Sequence, residues 1–257
     1  MYKQNKINKM IFQSCDWLEK KIKYLRGQNY HNKSSKKEVA ILDDIFSIKP
    51  RLAIDIGGNI GEYTKNLCDK YPSIEVHIFE PSSINYEKLI KRFSSSNSIN
   101  VLPYAVSNTN GNTTLYSNHP GSPLASMSKR NLDHAGIAFN YKEQIKSIRF
   151  EDYWIEELFN REVDIVKIDI EGNEYRALQG FGKAISFIKV VQFEFGGTDI
   201  DTRTFFKDFW TFFQKYEFKL FRITPLGLEP IYRYHEKEES FLFTNYIAIN
   251  SMTSSGL

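Results

Sequence analysis

Hydrophobic and polar positions change period several times along the chain. Ile7, Met10, Ile11, Leu18, Ile22 and Leu25 recur at helical spacing, which predicts an amphipathic helix over residues 6–26. GQNYHNKSS is a polar break, and EVAILDDIF predicts a second, shorter helix ended by Pro50. From there short apolar runs alternate with helical patterns. RLAIDIG (51–57), EVHIFEP (75–81) and INVLPYAVS (99–107) read as strands, although Pro103 argues against a central position for the third. Between them, NIGEYTKNLCDKY is a helix closed by Pro72, and SINYEKLIKRF is a helix with Ser82 or Ser83 as its cap. After Ser107 the pattern weakens: TTLYSN fits an added strand, NHPGSPLASMSKRN a loop over a site, and FEDYWIEELF a helix. Alternation then resumes with DIVKIDI (164–170), helix EYRALQGF, KVVQFEF (189–195) and helix TRTFFKDFWTFFQKY, before EFKLFRI and NYIAIN as a closing antiparallel pair. Strands alternating with helices over short connections predict an α/β domain with a doubly wound, mostly parallel sheet. The domain is expected over 49–257, with a helical extension over 1–48.

Composition narrows the class. The 257 residues are 41% hydrophobic and 25% charged, which is ordinary for a soluble globular chain. The aromatic share of 15% fits a Phe-rich core better than a stacking surface, and a net charge of +3 is too small to imply a nucleic-acid partner. That charge is uneven, however. Lys3, Lys6, Lys9, Lys20, Lys21, Lys23, Arg26, Lys33, Lys36 and Lys37 face only Asp16 and Glu19 across the first stretch. Two readings stay open: a solvated helix face, or a peripheral contact with a membrane or an acidic polymer. Cys15 and Cys68 have no CxxC partner, so neither a disulfide scaffold nor thiolate-bound zinc is expected. No apolar run spans a bilayer and MYKQNKINKMIF has no signal-peptide core, so a cytoplasmic location is expected.

The turn after the first strand carries the candidate chemistry. Gly57, Gly58 and Gly61 allow a tight turn and a close backbone approach at the carboxyl end of a parallel strand, where open α/β sheets bind ligands. A dinucleotide would set its pyrophosphate there, but GxGxxG is broken by Ile56, and Asp55 would repel a phosphate. S-adenosylmethionine carries an ammonium and a sulfonium instead, so an acidic residue at the turn favours it. Glu80, at the end of the second strand, is placed to accept both ribose hydroxyls.

DIVKIDIEGNEY raises a second question. Period-two alternation would put Lys167, Asp169 and Glu171 on one face, and Glu194 ends the following strand. These groups fit a buried structural cluster, or a catalytic cleft. In a cleft, Asp169, Glu171 or Glu194 would act as general base on a hydroxyl, or together hold a divalent metal that polarises it; the sequence leaves both open. Among the histidines, His31, His77, His119, His134 and His235 show no ligand spacing. His77, within a strand, reads as structural.

DIGGNIGEYT, IFEPSSINYEKL, PYAVSNTNGNTTLY and DIVKIDIEGNEYRALQGF together resemble the FkbM family of S-adenosylmethionine-dependent methyltransferases over about residues 50–200. The resemblance implies a Rossmann-like class I methyltransferase with a seven-stranded sheet and helices on both faces, acting on hydroxyls, often those of sugars in polysaccharides or natural products. It also implies that Asp55, Gly57, Gly58, Asn59 and Gly61 form the cofactor loop, with Glu80 on the ribose and Pro81 beside it. Ala105, Val106 and Ser107 would lie near the adenine, and Ser126 in a small-residue segment of the covering loop. Two positions depart from the family pattern. Gly58 stands where alanine is commoner, and FED where threonine-leucine-aspartate is.

The leading expectation is therefore S-adenosylmethionine-dependent O-methylation of a saccharide or related small molecule. An NAD-dependent oxidoreductase or epimerase is the rival enzyme, opposed by Ile56 and by the lack of a suitably placed YxxxK pair. A non-catalytic methyltransferase-like scaffold is the third reading.

Overall fold

The computed structural model describes residues 6–28 and 35–252. Most of the expected polar break, with His31 and Lys33, lies outside the described residues, as does Lys3. Helix α1 covers Lys6–Leu25 and α2 covers Lys36–Ala40. The alternating region then forms β1 (Leu52–Ile56), α3 (Glu62–Lys70), β2 (Glu75–Phe79), α4 (Ser83–Arg92) and β3 (Ile99–Leu102). After it come β4 (Tyr104–Val106), β5 (Gly111–Ser117), β6 (Tyr141–Ile148), α5 (Phe150–Glu156), β7 (Val163–Ile168), α6 (Glu174–Gln179) and β8 (Ile188–Phe195). The chain closes with α7 (Thr198–Thr202), α8 (Phe206–Lys215), β9 (Phe218–Thr224), β10 (Gly227–Ile231) and β11 (Thr244–Asn250).

The main sheet has eight strands in the order β10-β9-β11-β8-β7-β1-β2-β3, one more than the seven expected. The extra strand is β10, a hairpin partner of β9 that the Gly and Pro of GLEPI conceal. Strands β3, β2, β1, β7 and β8 are parallel, while β11, β9 and β10 run antiparallel. The expected third strand is cut at Pro103. β3 ends at Leu102 in the main sheet, and β4 starts a separate three-stranded sheet, β4-β6-β5. Proline has no N–H to give to a ladder, so the chain changes sheets there.

β1 and β7 are buried along their whole lengths, as expected for parallel strands covered on both faces. Ile54 and Ile56 face one core with Phe150, Trp154, Leu178, Phe209 and Phe213. Ala53 faces the other with Val39, Leu42, Tyr63, Leu67 and Leu89. The second helix of the N-terminal segment is thus built into the domain core. α1 is not: Met10, Ile11, Trp17, Leu18, Ile22 and Leu25 are all exposed. Among the described residues no helix is long and apolar enough to cross a membrane.

Candidate functional site

A cavity opens beyond the carboxyl ends of β1, β2, β7 and β8, where strand order reverses around β1. Ile56, Gly57 and Asn59 form one side, and Phe79, Glu80, Pro81 and Asn85 the next. The small sheet adds Tyr104, Ala105, Val106 and Leu115, and the loop after β5 adds Ser122, Ala125, Ser126 and Met127. Asp169, Glu171 and Glu194 face in from the ends of β7 and β8. Splitting the third strand at Pro103 is what turns β4 toward the cavity.

The glycine turn is built from contacts that exclude side chains. Gly57 has φ 88°, and a Cβ there would lie 1.9 Å from the Asp169 carbonyl oxygen. Gly58 has no such backbone conflict; its Cβ would lie 2.1 Å from Ile78 Cγ2. Ile78 therefore accounts for glycine at a position where the family prefers alanine. Gly61 precedes α3 with φ 82°, packed on Leu89 and Phe93.

Glu80 holds the turn and faces the cavity. Its carboxylate accepts the Asn59 N–H at 2.8 Å and the Ser82 N–H at 2.9 Å, one on each oxygen. Each oxygen keeps a lone pair for another donor, as two ribose hydroxyls would require. Burial pushes this carboxyl up to about 7, against the two backbone hydrogen bonds.

Asp55 is placed differently from the sequence reading. It does not line the cavity. Strand alternation turns it to the α3 face of β1, where it accepts the Thr64 hydroxyl at 2.6 Å. Burial raises its pKa, opposed by Thr64 and by Lys167. Gly58, Gly61 and Ser107 also lie behind the wall. The Ser107 N–H donates to the Ile148 carbonyl, tying β4 to β6. Gly57, Asn59, Glu80, Pro81, Ala105, Val106, Ser126, Asp169, Glu171 and Glu194 are brought together around the cavity.

The KIDIEGNE segment is a turn that aims carboxylates. β7 ends at Ile168, and Glu171 and Gly172 take φ 55° and 91°. Glu174 folds back to accept the Ile170 N–H at 2.8 Å. The strand alternation expected to align Lys167, Asp169 and Glu171 therefore stops before Glu171, which turns to Arg130 in the covering loop, 2.8 Å away. Nothing in the local sequence marks Arg130, because its partner lies 41 positions on. Ser126 latches the same loop: its hydroxyl donates to the Glu171 carbonyl at 2.8 Å and accepts the Asn173 amide at 2.9 Å. Burial, then the charge of Asp169, raises Glu171 to about 7, with Arg130 opposing.

Asp169 is held by Lys167, whose ammonium donates to it at 2.7 Å. Burial alone would lower the Lys167 pKa; Asp169, Glu38 and Asp55 outweigh it and keep the ammonium charged. Glu194 is buried, and among the described residues no side chain is hydrogen-bonded or ion-paired to its carboxylate. Burial raises its pKa well above the carboxylate range, and the charges of Asp169, Glu171 and Glu174 add to the effect. Among the described residues no three His, Cys, Asp or Glu side chains are grouped to hold a metal ion. His77 is structural: its ring nitrogens meet the Tyr153 hydroxyl at 2.6 Å and Glu75 at 2.8 Å. His119 and His134 do not reach the cavity.

Four carboxylates thus face the cavity, and none of its lining residues is Lys, Arg or His. S-adenosylmethionine fits this donor set: Glu80 for the ribose, apolar side chains of β4 and β5 for the base, and an acidic wall for the cationic end.

Comparisons with known proteins agree with this geometry. The family model described as the methyltransferase FkbM domain matches residues 55–220. A curated protein named Methyltransferase 1, from Beauveria bassiana (strain ARSEF 2860), is 23% identical over 175 residues, which are 59% of this chain and 70% of that protein. A solved methyltransferase FkbM from Methylobacillus flagellatus KT superposes with a TM-score of 0.50 at 16% identity, covering 80% of this chain. This chain spans only 45% of that protein's length, and the likeness is one of fold. The architecture is that of the Rossmann-like class I methyltransferases, and with more than half of its residues matched by the family model, the chain belongs to the FkbM methyltransferase family.

Proposed function

We propose that this chain is an S-adenosylmethionine-dependent O-methyltransferase acting on a hydroxyl of a saccharide or related small molecule. The observation that carries the cofactor assignment is the cavity wall: Glu80, Asp169, Glu171 and Glu194 line it, while Lys167 and Arg130, paired to two of them, do not. A pyrophosphate would be repelled from such a wall, which weighs against the NAD reading. The hydroxyl acceptor rests on the family.

Bound S-adenosylmethionine supplies a methyl group made electrophilic by its sulfonium. Glu80 holds the ribose through the lone pairs left by its two backbone hydrogen bonds. Phe79, Val106, Leu115 and Met127 exclude water from the base. Asp169 and Glu171, fixed in place by Lys167 and Arg130, aim carboxyl oxygens at the cationic end. Glu194 is the carboxylate best suited to take the proton that the acceptor hydroxyl gives up. It lines the cavity, it is buried, and it has no cation of its own, so its raised affinity for a proton is available to the reaction.

Isothermal titration with S-adenosylhomocysteine tests the cofactor site, with Glu80→Ala expected to weaken binding strongly. Transfer of labelled methyl to a panel of glycans and nucleotide sugars tests the acceptor, with Glu194→Gln expected to bind cofactor but lose turnover. Absence of S-adenosylhomocysteine binding, or binding of NADH in its place, overturns the proposal.

A further inference from the structure

We propose that α1 is an interfacial helix that docks this enzyme on an anionic lipid bilayer. Three observations converge on it. First, Ile11, Leu18, Ile22 and Leu25 recur at spacings of seven, four and three, with Met10 and Trp17 flanking them, so they form one broad face. All six are more than 45% exposed, although the cores on both sides of the sheet are complete without them. Leaving so much apolar surface in water on a single helix is costly unless something covers it.

Second, the charge suits an anionic surface. α1 carries five lysines against Asp16 and Glu19, and Arg26 follows directly. Lys9, Lys20 and Lys23 fall on the side opposite the apolar stripe. Lys21 lies within the apolar face between Trp17 and Leu25, its Nζ 5.8 Å from the Trp17 ring centroid. A long lysine stem can lie along a bilayer while its ammonium reaches the headgroups, and Trp suits the same depth. A second copy of α1 fits less well. A heptad seam through Ile11, Cys15, Leu18, Ile22 and Leu25 would leave Met10 and Trp17, roughly 100° round the helix, in water.

Third, α1 joins the body at the edge of the sheet that bears the cavity. Gly27 packs so closely on β9 that a Cβ would lie 2.1 Å from the Ile223 carbonyl oxygen, and Arg26 lies 3.9 Å from Glu229 on β10. Strand registers put the neighbouring Arg222 level with Tyr246, Phe193, Ile168 and Ile56, the last two being the final residues of β7 and β1 at the cavity. β9 is three strand spacings from β7, about 14 Å. A bilayer under α1 therefore lies near the cavity-bearing edge.

The test is flotation of the full chain with vesicles of phosphatidylcholine containing phosphatidylglycerol, and with phosphatidylcholine alone. The chain is expected to float with the anionic vesicles only. Leu18→Asp combined with Ile22→Asp, and separately Lys20→Glu combined with Lys23→Glu, should each reduce the bound fraction at least about tenfold. S-adenosylhomocysteine binding reports folding in both variants and is expected to be unchanged, so the outcome stands apart from the proposed function. No flotation, equal flotation with neutral vesicles, or unaltered flotation of either variant overturns the proposal. So does a dimer in sedimentation velocity that the Leu18 and Ile22 substitutions dissolve, because it assigns the apolar face to a second copy.

Discussion

The buried ammonium of Lys167 donates to the carboxylate of Asp169 at 2.7 Å, joining the core on one face of the sheet to the wall of the cavity. The same ammonium lies 3.9 Å from Glu38 on α2, which accepts the Gln192 amide at 2.8 Å. Lys167→Met leaves Glu38, Asp55 and Asp169 without their shared cation. Removing one partner of a buried ion pair costs about 3–5 kcal/mol, and that loss is expected in urea unfolding. Adding Glu38→Gln should recover part of it, because one fewer buried charge is left unpaired. A fully additive double variant would mean that the two groups are not coupled.

Cofactor affinity should depend on pH through Glu80. Its ordinary pKa of 4.5 is raised to about 7 by burial. Between those values the folded chain keeps a proton that the unfolded chain has released. This group's contribution to stability is therefore full below about pH 4.5, lost as pH rises to about 7, and constant above. Ribose hydroxyls donate to the ionised form, so binding has the opposite sign. S-adenosylhomocysteine affinity is expected to rise about tenfold from pH 6 to pH 8 as the ionised fraction grows. Asp169, Glu171 and Glu194 face the same cavity, so titration calorimetry on Glu80→Gln is needed to isolate Glu80. That variant should bind more weakly and show a flatter pH profile.

The β-α-β-α-β order, the buried strands and the closing antiparallel pair were legible because period and punctuation are local signals. β10 was not, because GLEPI carries a Gly, a Pro and a charged Glu within five residues and becomes a strand only by pairing with β9. Pro103 was legible as a misfit, but its consequence, a change of sheets, depends on β6 more than forty positions later.

The site divides in the same way. Glu80 and the carboxylates after β7 and β8 were visible from their places at strand ends. Asp55 was misplaced for a physical reason: its alternation phase sets it on the face of β1 away from Ile56, and position beside a glycine turn does not override that phase. Glu171 escaped alternation because its left-handed backbone ends the strand pattern. Arg130 could be found only in three dimensions.

Alanine at the two adjacent glycines should separate backbone from side-chain constraint. Gly57→Ala puts a Cβ into the Asp169 carbonyl at a φ of 88°, so no neighbouring side chain can relieve it. Gly58→Ala meets only Ile78 Cγ2. Its overpacking cost, about 1–3 kcal/mol, should fall when Ile78→Leu removes the methyl branch at Cβ. Thermal unfolding of the single and double variants checks this. Rescue of Gly57→Ala by the same Ile78 substitution would contradict the geometry.

Removing Arg130 should change which charge the cavity prefers. Its guanidinium lies 2.8 Å from Glu171 and 3.3 Å from Asp201, and it holds the Glu171 pKa down against burial. In Arg130→Met, Glu171 loses the group that lowers its pKa and titrates above its present value of about 7. At pH 6, below that value, Glu171 is mostly protonated in both chains, so the substitution removes one positive charge from beside the cavity. The ratio of S-adenosylmethionine to S-adenosylhomocysteine affinity reads this charge, because the two ligands differ by the charged methyl, and any loosening of the covering loop affects both. Relative to the intact chain, that ratio should rise about tenfold at pH 6. A ratio equal to that of the intact chain would mean that the Arg130–Glu171 pair does not face the sulfonium, leaving Arg130 with the fastening of the loop as its role.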